Sequence, residues 1–252
     1  MRQFENRFVS NENCFIDLEW WDACVDPNAK PLLADKRMPV WLGVDASVKR
    51  DSTAIVAVGW DKAASKARLI THRVFQPSAK EPLDFEATVE RTVRELCQRF
   101  AVRRVLYDPY QMAAVAQRLQ AAGVPMRENP QTVANLTAIG SNLFELIKGA
   151  SLMVYPDEAV RLSISRAIAK ETPRGFQITK EKSTHKIDIV IALAMAAYAA
   201  VQQSHVEEVP IVLPYIWSKT SGVISDPCPA SRSTTATFYA YGGSREPFAR
   251  EW

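Results

Sequence analysis

The chain is short of cysteine, of glycine-rich loops, of long apolar runs and of excess charge of either sign, and each shortage removes a class of protein. Its four cysteines, Cys14, Cys24, Cys97 and Cys228, occur singly with no C-x-x-C pair. Neither a zinc ribbon nor a disulfide framework is therefore indicated, and the thiols read as reduced filler. No G-x-x-x-x-G-K-[ST] stretch occurs, which excludes a phosphate-loop nucleotidase. The longest apolar stretch, residues 187–201, is too short and too rich in alanine to span a bilayer, and Met1-Arg2-Gln3-Phe4-Glu5-Asn6 lacks the apolar centre of a signal peptide. The expectation is a cytoplasmic protein with no membrane partner. A formal net charge of +3 permits a polyanionic partner without requiring one.

What is present is a chain of 252 residues, 47% apolar, which suffices for one sizeable core with extensions. Residues 1–38 mix Phe15, Trp20 and Trp21 with Asp, Asn and Pro and read as a lead-in segment carrying a short helix. The compact domain is expected over residues 39–203. Within it, β-rich runs at 40–46, 52–60 and 67–75, separated by polar linkers, predict an antiparallel meander of three strands. Leu83, Val89, Val93, Leu96 and Phe100 recur at spacings near three or four and predict an amphipathic helix over 82–100. A strand at 102–107 follows, then a helix that Pro109 enters at an early position and Gly123 stops. Beyond come an extended piece at 126–128, a helix over 133–148, a short strand at 152–154, a helix over 157–170, a β-like run at 175–179 and a final helix over 186–201. Residues 204–252 contain Pro210, Pro214, Pro227, Pro229 and a Ser/Thr-rich run. They hold no sustained period and are expected to form a flexible or partner-dependent tail.

Three aspartates stand where a solvated surface charge would be out of place. Asp45 ends the run Val40-Trp41-Leu42-Gly43-Val44, Asp108 ends Val102-Arg103-Arg104-Val105-Leu106-Tyr107, and Asp188 opens the last helix. Brought together by the fold, three carboxylates would repel one another and raise their own pKa values; a hard divalent cation such as Mg²⁺ or Mn²⁺ relieves that repulsion. Strict alternation puts Val40, Leu42 and Val44 on one face of the first strand and Trp41, Gly43 and Asp45 on the other, so Asp45 is expected to point away from the main core, with Gly43 leaving room beside it. Acids at the ends of the first and fourth strands and in the last helix, in a βββαβα order, are the pattern of a ribonuclease H-like α/β fold, a mixed sheet flanked by helices.

Four blocks carry a closer resemblance: Asn6-Arg7-Phe8-Val9-Ser10 with Trp20-Trp21-Asp22-Ala23-Cys24; Leu42-Gly43-Val44-Asp45-Ala46-Ser47 followed by Lys49-Arg50-Asp51-Ser52-Thr53-Ala54; Tyr107-Asp108-Pro109-Tyr110-Gln111 leading to Gly123-Val124-Pro125; and residues 186–196 around Asp188. In this order, over roughly residues 4–203, the chain resembles the C-terminal nuclease domain of the large subunit of tailed-phage terminases. The resemblance implies a metal-dependent endonuclease that cuts double-stranded DNA during genome packaging in the host cytoplasm. It implies that Asp45, Asp108 and Asp188 are the catalytic and metal-binding residues, with two Mg²⁺ or Mn²⁺ ions expected. The terminase small subunit, the portal protein and a separate ATPase domain become expected partners. Complete large subunits carry an upstream ATPase domain; lacking a phosphate loop, this chain is not expected to be the whole motor, and a fragment, a split gene or a degenerate prophage remnant would each account for it.

Each acid also has a plainer role. Asp45 could order the turn after its strand, Asp108 could cap the next helix ahead of Pro109, and Asp188 suits the dipole of a first helical turn. Asp51, His185, Lys182 and Lys186 read as solvated loop charges, Arg103 and Arg104 as exposed edge residues, and Gln131, Thr132 and Asn135 as capping groups. Two rivals to the nuclease remain: a sugar-kinase or actin-like ATPase, for which Ala46-Ser47-Val48-Lys49 offers no glycine-rich phosphate loop, and a non-catalytic docking module of a packaging assembly.

Overall fold

The computed structural model describes residues 14–46, 52–76, 85–110, 112–173, 175–180 and 186–204, all within one compact unit. In chain order the elements are α1 (Leu18–Ala23), β1 (Asp35–Asp45), β2 (Thr53–Asp61), β3 (Lys66–Phe75), α2 (Phe85–Arg99), β4 (Phe100–Tyr107), α3 (Ala113–Ala121), β5 (Met126–Glu128), α4 (Val133–Lys148), β6 (Leu152–Met153), α5 (Glu158–Ser165), β7 (Ala167–Thr172), β8 (Gly175–Lys180) and α6 (Asp188–Ser204). Among the described residues six strands form one mixed sheet in the order β5-β4-β1-β2-β3-β6, and β7 and β8 form a separate hairpin. The meander β1-β2-β3 is antiparallel as its spacing predicts, whereas β4 joins β1 in parallel and β5 joins β4 in parallel. This is the ribonuclease H-like arrangement.

The sheet is buried on both faces. Val40, Leu42 and Val44 of β1 face α2 and α3 in a core that includes Val89, Val93, Val115 and Leu119. Trp41, with Ala54, Val56 and Val58 of β2, faces a second and larger core built around α6, α4 and α5. The expectation that Asp45 points away from the main core is therefore corrected, because the face it shares with Trp41 and Gly43 carries the larger of the two cores. α6 is buried almost all round, from Ile189 to Ala200, and a helix apolar on every side belongs in an interior. Its small residues let it approach the sheet at backbone distance. The room beside Gly43 is taken up by this helix: a β-carbon on Gly43 would overlap the Ala192 carbonyl oxygen and lie 2.9 Å from the Ala196 amide nitrogen.

Segments outside the meander join the same packing. Phe15, Ile16, Trp21 and Cys24 are buried in the α6 core, Phe15 meeting the Phe144 ring edge-on at 6.3 Å. Asp17, Thr132 and Asp157 cap α1, α4 and α5 by accepting backbone N–H groups, so the capping role expected of Thr132 is the one it fills.

Two boundaries differ from expectation. The helix predicted over 157–170 ends at Ser165, because Ala167–Thr172 pairs its backbone with Gly175–Lys180 to form the hairpin. Pro109 lies in a turn ahead of α3 rather than in its first turn, and the α3 N-cap is Met112, with no side-chain cap.

Gly43→Ala tests the close approach. The obstacles are backbone atoms that cannot rotate away, so the variant is expected to lose about 3 kcal/mol or more, at the upper end for overpacked cores, in urea unfolding.

Candidate metal centre

The register of β1 and β4 brings the first two aspartates together. Val44 is paired with Tyr107 in parallel, so Asp45 and Asp108, one residue further on, end neighbouring strands at the same level. Whether they share a face depends on β4. Val40 pairs with Val102 but Trp41 pairs with Arg104, leaving Arg103 as an extra residue on β4. Such a bulge shifts side-chain alternation by one. Phe100 and Val102 lie against α2 and α3 before it, as do Val105 and Tyr107 after it, whereas Leu106 packs into the α6 core. Arg104, Leu106 and Asp108 thus take the α6 face, the face of Asp45. Without the bulge, Asp108 would fall on the opposite side of the sheet.

α6 carries the third aspartate to the same end. It runs antiparallel to β1: the Trp41 indole N–H donates to Gln203 Oε1 near its end, and Gly43 touches Ala192 and Ala196 further up. Two more strand residues, about 7 Å, correspond to four or five helical residues, which reaches Asp188 at the level of Asp45. Ser52, just before β2, closes this corner. Ala54 faces Asp45 across the β1–β2 ladder, so Ser52 extends along the same face, and its hydroxyl donates to Asp188 Oδ2. Ser52 is buried. Sequence reasoning gave it no role. The only signal available was its position, seven residues after Asp45 on the returning arm of a hairpin.

Asp45, Asp108 and Asp188 are each half-buried. The Asp108 carboxyl is pushed above its ordinary value, first by burial, while the Tyr110 amide that donates to its Oδ1 at 3.2 Å pulls the other way. That bond is an Asx turn, so Asp108 does not cap α3. Asp51, Lys182 and His185 lie outside the described residues. Among the described residues no three acidic, histidine or cysteine side chains stand close enough to hold one ion. The donor set fits a hard divalent cation in kind, though its side chains do not close on one point. Three carboxylates from β1, β4 and α6 share one face at one end of the sheet, and one of them is desolvated in the charged form that a cation would favour.

A ribonuclease H-like domain with acidic residues at the ends of adjacent parallel strands is the class that fold and site define. Residues 82–204 match the family described as terminase large subunit, endonuclease domain. The large terminase of bacteriophage HK97 shares the fold at a TM-score of 0.61 and 17% identity over 74% of this chain, which spans 43% of that protein. The large terminase nuclease of the thermophilic phage G20c with bound magnesium aligns at 0.58 and 18% identity, over 74% of this chain and 97% of that one. The nuclease domain from Thermus phage P74-26 aligns at 0.52 and 16% identity, over 73% and 94%. No curated protein matches the chain. Among the described residues no helix is long and apolar enough to cross a membrane.

The raised Asp108 pKa has a consequence for stability. A carboxyl shifted upward on folding stabilises the fold fully below its unfolded pKa, and that contribution is lost as pH rises through the folded pKa. Asp108→Asn is therefore expected to raise the thermal midpoint at pH 7 in EDTA, and the gain should shrink as pH falls toward 4, which melting curves across that range would show.

Proposed function

We propose that this chain is a metal-dependent endonuclease that cuts double-stranded DNA during phage genome packaging. The observation that carries the reading is the pairing of Val44 with Tyr107, which sets Asp45 and Asp108 side by side at the end of the sheet that Asp188 and Ser52 occupy. Asp45, Asp108 and Asp188 would hold two divalent cations, Mg²⁺ or Mn²⁺. When bound, such ions lower the pKa of a coordinated water and neutralise charge on the phosphoryl and leaving oxygens.

The protein's own groups supply the positioning. β1 and β4 fix two carboxylates through their ladder, and the docked α6 fixes the third. The Ser52 hydroxyl holds Asp188 in one orientation, as a partner outside the ligand set does for a metal-binding carboxylate. The Tyr110 amide does the same for Asp108. Phosphate contacts rather than base contacts would dominate DNA affinity. In line with the terminase resemblance of its sequence, the chain would act beside an ATPase domain, a small subunit and a portal in the host cytoplasm.

A second reading, a non-catalytic docking module or degenerate remnant, draws on one observation: the described carboxylates do not close into a ligand cluster. Plasmid cleavage by the purified chain in Mn²⁺, Mg²⁺ or EDTA separates the two. Cutting is expected only with metal, reduced at least about 100-fold in Asp45→Ala, Asp108→Ala and Asp188→Ala and about 10–100-fold in Ser52→Ala, the range for partners of metal ligands. A folded wild type that neither cuts nor binds Mn²⁺ would overturn the nuclease reading in favour of a docking module or degenerate remnant.

A further inference from the structure

The bulge that places Asp108 also places a cation. Arg104 is four residues before Asp108 on the same face of β4, turned there by the extra residue Arg103, and it is half-buried. On the neighbouring strand, Arg127 pairs with Leu106 and so lies on that face as well, between the levels of Arg104 and Asp108; it is exposed. Two guanidinium groups thus share one patch of the α6 face at the β4–β5 edge. By strand rise they stand about 7–13 Å from the level of Asp108.

Several other arginines are paired with carboxylates. Arg94 and Arg118 both bond Glu90, at 2.8 and 2.7 Å, and Arg161 forms a two-pronged pair with Asp22. Among the described residues Arg104 and Arg127 have no such carboxylate. Burial, followed by the charge of Arg127, instead pulls the Arg104 guanidinium below its ordinary value. Two like charges held together on the face that carries the three aspartates, and not paired with them, suit an anion that bridges them. Guanidinium forks match phosphate oxygens in geometry as well as charge.

We propose that Arg104 and Arg127 form a phosphate-binding site for the backbone of the duplex whose neighbouring phosphodiester lies at the three aspartates. The site holds the strand in register for cutting, and in this it rests on the nuclease reading. The acidic end of the sheet takes the scissile phosphate through metal, and the arginine patch takes phosphates further along the backbone without metal. Both residues are positioning groups.

The test is duplex binding by the full chain in EDTA, where no cutting can occur, measured by fluorescence anisotropy of a labelled DNA duplex over a range of salt concentrations. Arg104→Gln and Arg127→Gln are each expected to reduce the slope of log affinity against log salt by about 1, and the double variant by about 2, with no fall in melting temperature. The double Arg→Lys variant, which keeps both charges, should restore most of the slope. An unchanged slope in a folded double Gln variant overturns the proposal, as does a wild type that binds no duplex in EDTA. A wild type that shows the slope difference but cuts no plasmid in Mn²⁺ supports the phosphate site and removes the nuclease reading.

Discussion

The backbone contact between α6 and β1 at Gly43 is the constraint on which the rest of the structure depends. A helix can come this close to a strand only where the strand has no side chain and the helix presents small ones, and Gly43 meets Ala192 and Ala196. That approach buries α6 between the sheet and its outer helices, so Ile189, Val190, Leu193 and Met195 all lose contact with water. Burying a side chain of this size contributes about 1.5–3 kcal/mol. The same approach fixes the height of α6 along β1 and thereby the position of Asp188. Stability and site geometry are set by one contact.

The second determinant is an irregularity. A β4 that alternated strictly would send Asp108 into the core of α2 and α3, where a carboxylate has no partner. The extra residue Arg103 re-aims every side chain after it, so that Leu106 enters the α6 core and Asp108 joins Asp45. Bulges commonly serve to re-aim a side chain. Here the first half of β4 anchors the α2 side of the sheet and the second half serves the opposite face.

Charge on that face is segregated by level. The carboxylates occupy the strand ends, with Asp108 partly desolvated, and Arg104 and Arg127 occupy the β4–β5 edge below them. Oppositely charged groups on one surface ordinarily pair. Here the two signs stay apart, and Arg104 feels the charge of Arg127 rather than that of a carboxylate.

The sequence by itself determined the element types, the antiparallel meander and the three acidic positions. These depend on local period, on turn residues and on charges placed at the ends of apolar runs, and so did the resemblance to the terminase nucleases. Even there, the boundary at Ser165 was misplaced, since a helix-compatible stretch became a strand only because Gly175–Lys180 was available to pair with it. Only the tertiary structure decided which aspartates share a face, that Ser52 holds Asp188, and that Arg104 stands beside Arg127. A bulge is defined by two residues facing one across a ladder, and the neighbour of a side chain 136 positions away is chosen by packing, so neither leaves a periodic trace in the chain.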